Sequence, residues 1–84
     1  MWKLSKQRVD KAVAEFDRLG REDYLHQHGA SRARHHFLKV KGRLYDLKPI
    51  VGPCIGEPAR DFHTQEARRL VRQFLPASYK LVKQ

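Results

Sequence analysis

Apolar residues recur at three- and four-residue steps near both ends of the chain, and this spacing predicts two amphipathic helices. The first helix is predicted to start after Ser5, a favourable N-cap residue, and to run to about Leu19. Gly20 follows at the position where a left-handed residue often ends a helix. The second helix is predicted to start with Thr64 as its cap. It should end before Pro76, because the residue before a proline disfavours helical geometry.

A shorter helix and a hairpin are predicted between these two segments. The stretch "REDYLHQHG" has two acids in its first turn and Gly29 at its end, as expected for a short helix. The pattern then changes to the two-residue period of strands. "HHFLKV" and "RLYDL", joined by "KG", predict a hairpin over residues 35–47, in which Gly42 has the positive φ of a tight turn. Three apolar residues of this hairpin are expected to share one face: Leu38, Val40 and Leu44.

Prolines and glycines divide the segment after the hairpin. Pro49 suits the first turn of a third helix, and Pro53 and Gly56 are expected to limit its length. Residues 56–62 are expected to form a loop, and "SYKLV" is expected to add a third strand to the hairpin. The predicted fold is therefore α+β, with three to four short helices packed on a small antiparallel sheet made of the hairpin 35–47 and a C-terminal strand.

The length and charge of the chain narrow its class. With 84 residues there is room for one core, so residues 1–84 are predicted to form a single small domain. Eighteen Lys and Arg against nine Asp and Glu give a formal net charge of +9, which favours an acidic partner, nucleic acid first. Cys54 has no second cysteine to pair with, and no apolar run approaches the ~18 residues of a membrane span. A reduced, cytoplasmic protein with no membrane partner is expected.

Catalytic and metal chemistry are disfavoured by the spacing of the candidate ligands. The five histidines lack the paired-cysteine or i, i+4 spacing typical of zinc sites. Asp46 and Lys48, with Glu22 or Asp23, faintly resemble carboxylate sets that hold Mg²⁺ for phosphodiester cleavage, but Leu44 occupies the place of the second strand acid. The chain also contains no asparagine, so a His-Asn-His metal finger is impossible. The prediction is no metal, no cofactor and no enzymatic activity.

Basic residues are concentrated where acidic residues are missing. The span from Tyr24 to Tyr45 contains no acid but five Lys or Arg and four His. Arg43 and Lys48 are expected near the sheet edge, with Asp46 orienting one of them or capping the third helix. An arginine cluster on the last helix adds to this charge, and phosphate contacts are the sequence-independent part of DNA binding. The predicted nucleic-acid-binding residues are Arg32, Arg34, Lys39, Lys41, Arg43, Lys48, Arg68, Arg69 and Arg72.

Three motifs, in order, carry a resemblance to a known family. "FDRLGREDYL", "HGASRARHHFL" and "KGRLYDLKPIVG" are similar to the small N-terminal domain of ScoMcrA-type modification-dependent restriction endonucleases, over roughly residues 9–56. In that family the domain precedes DNA-reading domains and a His-Asn-His nuclease domain. Leu47 and Pro49 depart from the family pattern. The resemblance implies a non-catalytic, DNA-associated module related to restriction–modification and phage defence. The residues shared with the family pattern are Leu19, Gly20, Arg21, Leu25, Gly29, Gly42, Arg43, Tyr45, Asp46, Lys48, Ile50 and Gly52.

Two alternatives remain open on sequence grounds. A charge of +9 equally suits a stand-alone protein–protein interaction factor, of a phage or mobile-element type, that binds an acidic surface of a nuclease or defence complex. A metal-dependent nuclease is the third hypothesis, and it requires activity that depends on Asp46. DNA is favoured over RNA as the nucleic-acid partner through the resemblance alone.

Overall fold

Four α-helices and a three-stranded antiparallel sheet are present in residues 2–58 and 61–84, the part of the chain that this computed structural model describes. This is the predicted α+β fold. None of the described helices combines the length and the apolar character that a bilayer crossing requires. The elements are, in chain order, α1 (Lys6–Leu19), α2 (Arg21–Gln27), β1 (His36–Val40), β2 (Arg43–Asp46), α3 (Leu47–Ile55), α4 (Thr64–Phe74) and β3 (Lys80–Lys83).

Helix α1 begins and ends at the positions predicted from its capping residues. The Ser5 hydroxyl accepts a hydrogen bond from the Arg8 N–H at 3.4 Å, which satisfies one of the free N–H groups of the first turn. At the other end Gly20 has a φ of 86°, and its N–H donates to the Phe16 carbonyl at 2.8 Å. Val9 and Phe16 are the buried residues of α1, so one stripe of the helix faces the core.

The hairpin has the predicted turn but not the predicted face. Lys41–Gly42 forms a two-residue turn with φ angles of 51° and 80°, both positive as a type I′ turn requires. This turn sets a register in which Leu38 pairs with Tyr45, and Lys39 pairs with Leu44. Because directly paired residues of antiparallel strands share a face, Tyr45 and not Leu44 joins Leu38 in the core. The expectation for Leu44 was wrong, and its side chain is 40% exposed on the opposite face.

Helix α3 continues through a proline because α2 supplies a replacement hydrogen bond. Pro53 lies inside α3 and has no N–H for the carbonyl of Pro49, four residues earlier. The buried hydroxyl of Tyr24 donates to that carbonyl at 2.9 Å. The helix ends at Gly56, which is left-handed with a φ of 74°. Gly56, rather than Pro53, therefore limits the length of α3.

Helix α4 starts within one residue of the prediction and ends as predicted. His63 occupies the N-cap position and Thr64 is the first helical residue, so the expected Thr64 cap was one position off. No side chain caps this helix start. The helix ends at Phe74, two residues before Pro76. The predicted loop 56–62 includes residues 59 and 60, which lie outside the described residues.

The core lies between the helices and one face of the sheet. Strand β3 pairs with β1, as the third strand was predicted to join the hairpin, so the strand order is β2-β1-β3. Leu38 and Tyr45 carry the inner face of the sheet, and both are at most 3% exposed. The Phe16 ring packs between two tyrosines, with its centroid 5.0 Å from those of Tyr24 and Tyr45. The Phe16 ring thus joins α1 to α2 and to the sheet, and aliphatic residues of α3 are part of the same core.

Candidate nucleic-acid interface

A buried carboxylate fixes the loop that leads into β1. Asp46 is 1% exposed, and its two oxygens accept hydrogen bonds from Nε and Nη2 of Arg21, at 2.9 Å and 2.8 Å. The N–H of Ala33 donates to the same carboxylate at 2.7 Å. These bonds join the start of α2, the loop before β1 and the end of β2. Asp46 occupies the expected N-cap position of α3, but its side chain makes no capping bond there. The carboxylate orients Arg21, so the expectation that it orients Arg43 or Lys48 was wrong.

A surface groove of about 410 Å³ lies beside this pair, and none of the described residues that line it carries a carboxylate. The loop before β1 forms one wall, with Arg32 and Arg34 on either side of the anchored Ala33. The first turn of α3, with Lys48, and Thr64 at the start of α4 form the other. We call this surface the basic groove. Its cationic or titratable side chains are those of Arg32, Arg34, His35, His36 and Lys48.

The basic groove extends towards α4 and β3. His36 and Leu47 also line a smaller depression of about 60 Å³, together with Arg68 and Lys83. His36 and Lys83 are direct cross-strand partners. Burial first, and then the positive charges of Arg68 and Lys83, lower the pKa of His36 below its ordinary value. A bound anion would offset the positive charges around His36.

The backbone adds to the positive field at the groove. Leu47 and Lys48 are the first residues of α3, and Thr64 is the first residue of α4. Neither helix has a side chain hydrogen-bonded to its first N–H groups. Helix N-termini carry a partial positive charge, which favours anions within about one turn. The two helix starts therefore add to the positive charge of the groove side chains, and Glu66 in the first turn of α4 and the buried Asp46 at the N-cap of α3 offset part of this effect.

Three of the predicted nucleic-acid-binding residues line the groove, and they differ in the contacts that their charged groups already make. Arg32 forms an exposed ion pair with Glu22, which leaves it partly neutralised. Arg34 is exposed and has no carboxylate within ion-pair distance among the described residues. The Lys48 ammonium lies 5.4 Å from the centroid of the Phe62 ring, a cation–π contact that holds it at the groove wall. Arg34 and Lys48 are thus the groove cations best placed to meet an anion.

The hairpin turn, in contrast, lies next to acidic residues of α1. Arg43 Nη1 is 3.5 Å from Asp17 Oδ1, and the Tyr45 hydroxyl donates to the same carboxylate at 2.9 Å. Lys41 and Arg43 line a depression of about 400 Å³ that also contains Asp10 and Asp17. The turn is one strand length from the groove, about 13 Å along β1. The predicted basic hairpin therefore has two different ends: the groove end, which has no acidic lining residue among those described, and the turn end, where acidic residues of α1 lie beside the basic ones.

The remaining predicted residues lie outside the groove. Lys39 is exposed in the middle of β1, on the face of the sheet that points away from the core. Arg69 Nη2 is 2.9 Å from Glu66 on the exposed side of α4, and Arg72 is exposed one turn later. Sequence reasoning missed Lys83, which reaches the groove only because β3 lies beside β1. Lys83 could have been found from the sequence, because it directly follows the predicted C-terminal strand, which was expected to join the hairpin.

Histidines were considered as metal ligands, and the structure separates them. Only the adjacent pair His35 and His36 lines the groove, and His35 Nδ1 lies 2.7 Å from the Gln84 carbonyl oxygen. His28 Nε2 is 3.7 Å from a Glu15 oxygen at another surface. Within residues 2–58 and 61–84, no three His, Cys, Asp or Glu side chains come together as a metal site would require.

Fold and groove together define a small basic α+β domain with an acid-free groove at one end of its sheet. The family comparison agrees with the resemblance seen in the sequence. The model of the ScoMcrA-like, N-terminal head domain matches residues 2–71, and the chain belongs to this family. The match extends beyond the motifs at 9–56 and includes most of α4. Among curated proteins and among solved structures, no match to the chain was found.

Proposed function

We propose that this domain is a non-catalytic DNA-binding module that contacts the phosphate backbone through the basic groove. The observation that carries the proposal is that Arg34 and Lys48 line the groove and Arg68 and Lys83 line the adjoining depression, with no carboxylate among the described residues that line either. Membership of the ScoMcrA-like head-domain family supports DNA as the ligand. We also propose a reduced, cytoplasmic setting, which rests on the lone Cys54 and not on the family match.

The hydrogen bonds of Asp46 support the proposed lack of catalysis. Hydrolysis of a phosphodiester with Mg²⁺ needs carboxylates that converge on the ion with free oxygen lone pairs. In this domain the Asp46 carboxylate is 1% exposed and accepts three hydrogen bonds from Arg21 and Ala33. Its role is to hold the groove wall in place. We therefore expect no cleavage of plasmid DNA when Mg²⁺ or Mn²⁺ is added.

Phosphate binding by the groove has a characteristic salt dependence. If all four cations meet phosphates, the slope of log K against log salt is about −3.6, since each contact contributes about −0.9 on duplex DNA. Such contacts carry no base sequence information, so the module supplies affinity and orientation. Preference for a modified base would have to come from other contacts.

Fluorescence anisotropy with a short labelled duplex, measured across salt concentrations, tests the proposal. The groove variant Arg34→Gln/Lys48→Gln is compared with the turn variant Lys41→Gln/Arg43→Gln, which loses the same two charges. We expect the groove variant to halve the salt slope, to about −1.8, and the turn variant to stay near the wild type. Equal or greater weakening in the turn variant would place the contact at the hairpin turn instead.

Two further outcomes decide between classes of partner. No binding of duplex DNA at low salt would contradict the proposal and favour the alternative, an acidic protein partner. Bound phosphate should raise the pKa of His36, because an anion offsets the positive neighbours that lower it. Binding should therefore strengthen as pH falls towards the pKa of the free protein, and the His36 ring resonances followed by NMR report this directly.

A further inference from the structure

The sheet has one face that the helices leave uncovered. The side chains of β1 that alternate with the core residue Leu38 are Phe37 and Lys39. Neither belongs to the core cluster or to the partly buried residues packed against it. We call this surface the outer sheet face. By the strand register its exposed and half-buried members are Phe37, Lys39, Leu44, Lys80 and Val82, and the β2 partner of Phe37 is Asp46, which is buried beneath Arg21.

Two lysines lie directly opposite each other on the outer sheet face. Lys39 of β1 pairs with Lys80 of β3, and both side chains are exposed. Like charges at directly paired positions destabilise a sheet. Neither ammonium group has a carboxylate within ion-pair distance in the described part of the chain. The one acidic residue in the three strands, Asp46, is buried with Arg21. An anionic ligand would neutralise this lysine pair.

An aromatic ring lies next to the lysine pair. Phe37 is two residues from Lys39 on the same strand and face, about 6.6 Å along the chain, and Val82 is its direct partner on β3. The backbone positions of the ring and of the lysine pair are thus neighbours on one face of the sheet. An aromatic platform flanked by cations is the arrangement by which proteins hold single-stranded nucleic acid.

From this arrangement we infer that the outer sheet face binds single-stranded nucleic acid. One base stacks on Phe37, and the adjoining phosphate lies between Lys39 and Lys80. The inference goes beyond the proposed function, because it concerns a different ligand and the face of the sheet that carries Lys39 and Lys80. The two surfaces adjoin at Phe37 and Val82, which also line the depression beside Arg68 and Lys83. Either site can exist without the other.

A protein partner fits this face less well. The central position is occupied by Lys39, between Leu44 and Lys80, and lysine is depleted from the cores of protein interfaces. The apolar part consists of three side chains, whereas a stable interface buries about 800 Å² on each partner around an apolar centre. A nucleobase requires a single ring face, and its phosphate satisfies the lysines that a protein interface would have to bury.

The test compares a labelled oligothymidine with a labelled duplex for each variant. Phe37→Leu keeps an apolar side chain on the outer sheet face but removes the ring. We expect it to bind the oligothymidine roughly 5- to 150-fold more weakly, the range corresponding to the loss of one stacked base, with duplex binding unchanged. Phe74→Leu makes the same change at a half-buried ring of α4 that lies outside both surfaces, so it is the matched control and should bind both ligands like the wild type. Circular dichroism verifies that each variant is folded.

Three results would overturn the inference. The first is an unchanged affinity of Phe37→Leu for the oligothymidine. The second is a proportional loss of duplex binding in the same variant, which would mean that the ring acts through the fold. The third is that the oligothymidine does not bind, whereas a peptide containing Leu and Asp binds the wild type but not Lys39→Gln/Lys80→Gln. That result would make this face a protein-binding surface. Failure of the groove proposal, by contrast, appears as lost or misplaced duplex binding.

Discussion

The Asp46→Asn substitution removes the charge from the carboxylate that ties three segments together beside the basic groove. In the wild type both carboxylate oxygens accept from Arg21, at 2.9 Å and 2.8 Å, and the Ala33 N–H donates at 2.7 Å. An asparagine presents one acceptor oxygen and one NH₂ group. The NH₂ group then faces hydrogen-bond donors on every side, so at least one bond is lost and the guanidinium loses its counter-charge.

The magnitude follows from burial and exposure together. Breaking one side of a buried ion pair costs about 3–5 kcal/mol. The Arg21 side chain is 40% exposed, and water screens part of that loss, so about 3 kcal/mol is the appropriate figure. A domain of this size has a total stability of roughly 4–13 kcal/mol. At about 4–8 °C per kcal/mol, the Tm should fall by roughly 12–24 °C.

Urea and thermal unfolding followed by circular dichroism measure this loss, with Glu22→Gln as the control. Glu22 also pairs with an arginine, Arg32, but both side chains are more than 60% exposed. The control should therefore lose less than about 1 kcal/mol. A double variant with Arg21→Gln should cost less than the sum of the two single changes, because they remove the same interaction. If Asp46→Asn is no more destabilising than Glu22→Gln, the account of the loop anchor is refuted.

Three further predictions concern α3. Tyr24→Phe removes the donor to the Pro49 carbonyl and should cost about 1–3 kcal/mol in urea unfolding, but clearly less in a Pro53→Ala background, where residue 53 supplies an N–H. An equal cost in both backgrounds would contradict the role given to the tyrosine hydroxyl. Burial raises the pKa of the Cys54 thiol to about 11. Alkylation at pH 8 should therefore be at least ~100-fold slower in the folded protein than in the unfolded chain. Comparable alkylation rates in native buffer and in urea would count against a buried thiol. In Gly56→Ala the added methyl group meets no neighbouring atom, but the residue retains a φ of 74°. The free energy of unfolding should fall by about 1–2 kcal/mol from backbone strain alone. An unchanged urea midpoint would argue against this strain.

Local patterns in the sequence predicted the elements because they depend on neighbours along the chain. Ser5 and Gly20 bound α1, and the turn chemistry of "KG" placed the hairpin within a residue of its observed position. The face of Leu44 was missed because the alternation in "RLYDL" is compatible with either register. Only the turn geometry and the buried Tyr45, which lies on Phe16, decide between them.

The parts of the site that depend on long-range contacts were harder to predict. Arg21 and Asp46 are 25 residues apart, and no local spacing indicates that they pair. The basic residues of the hairpin formed one group in the sequence. In the folded chain the strand length separates Arg34 from Arg43, and Asp17 of α1 lies beside Arg43. Charge counting favours a polyanionic partner, but the position of helix α1 determines which end of the sheet stays free of carboxylates.

The most direct test of the central claim is to follow backbone amide resonances by NMR while unlabelled duplex DNA is added. The account predicts that the largest shift changes occur around Arg34, His36 and Lys48, with those of Lys41 and Gly42 in the hairpin turn nearly unchanged. Shift changes centred on the turn, or none at low salt, would contradict the assignment of the basic groove as the DNA-binding surface.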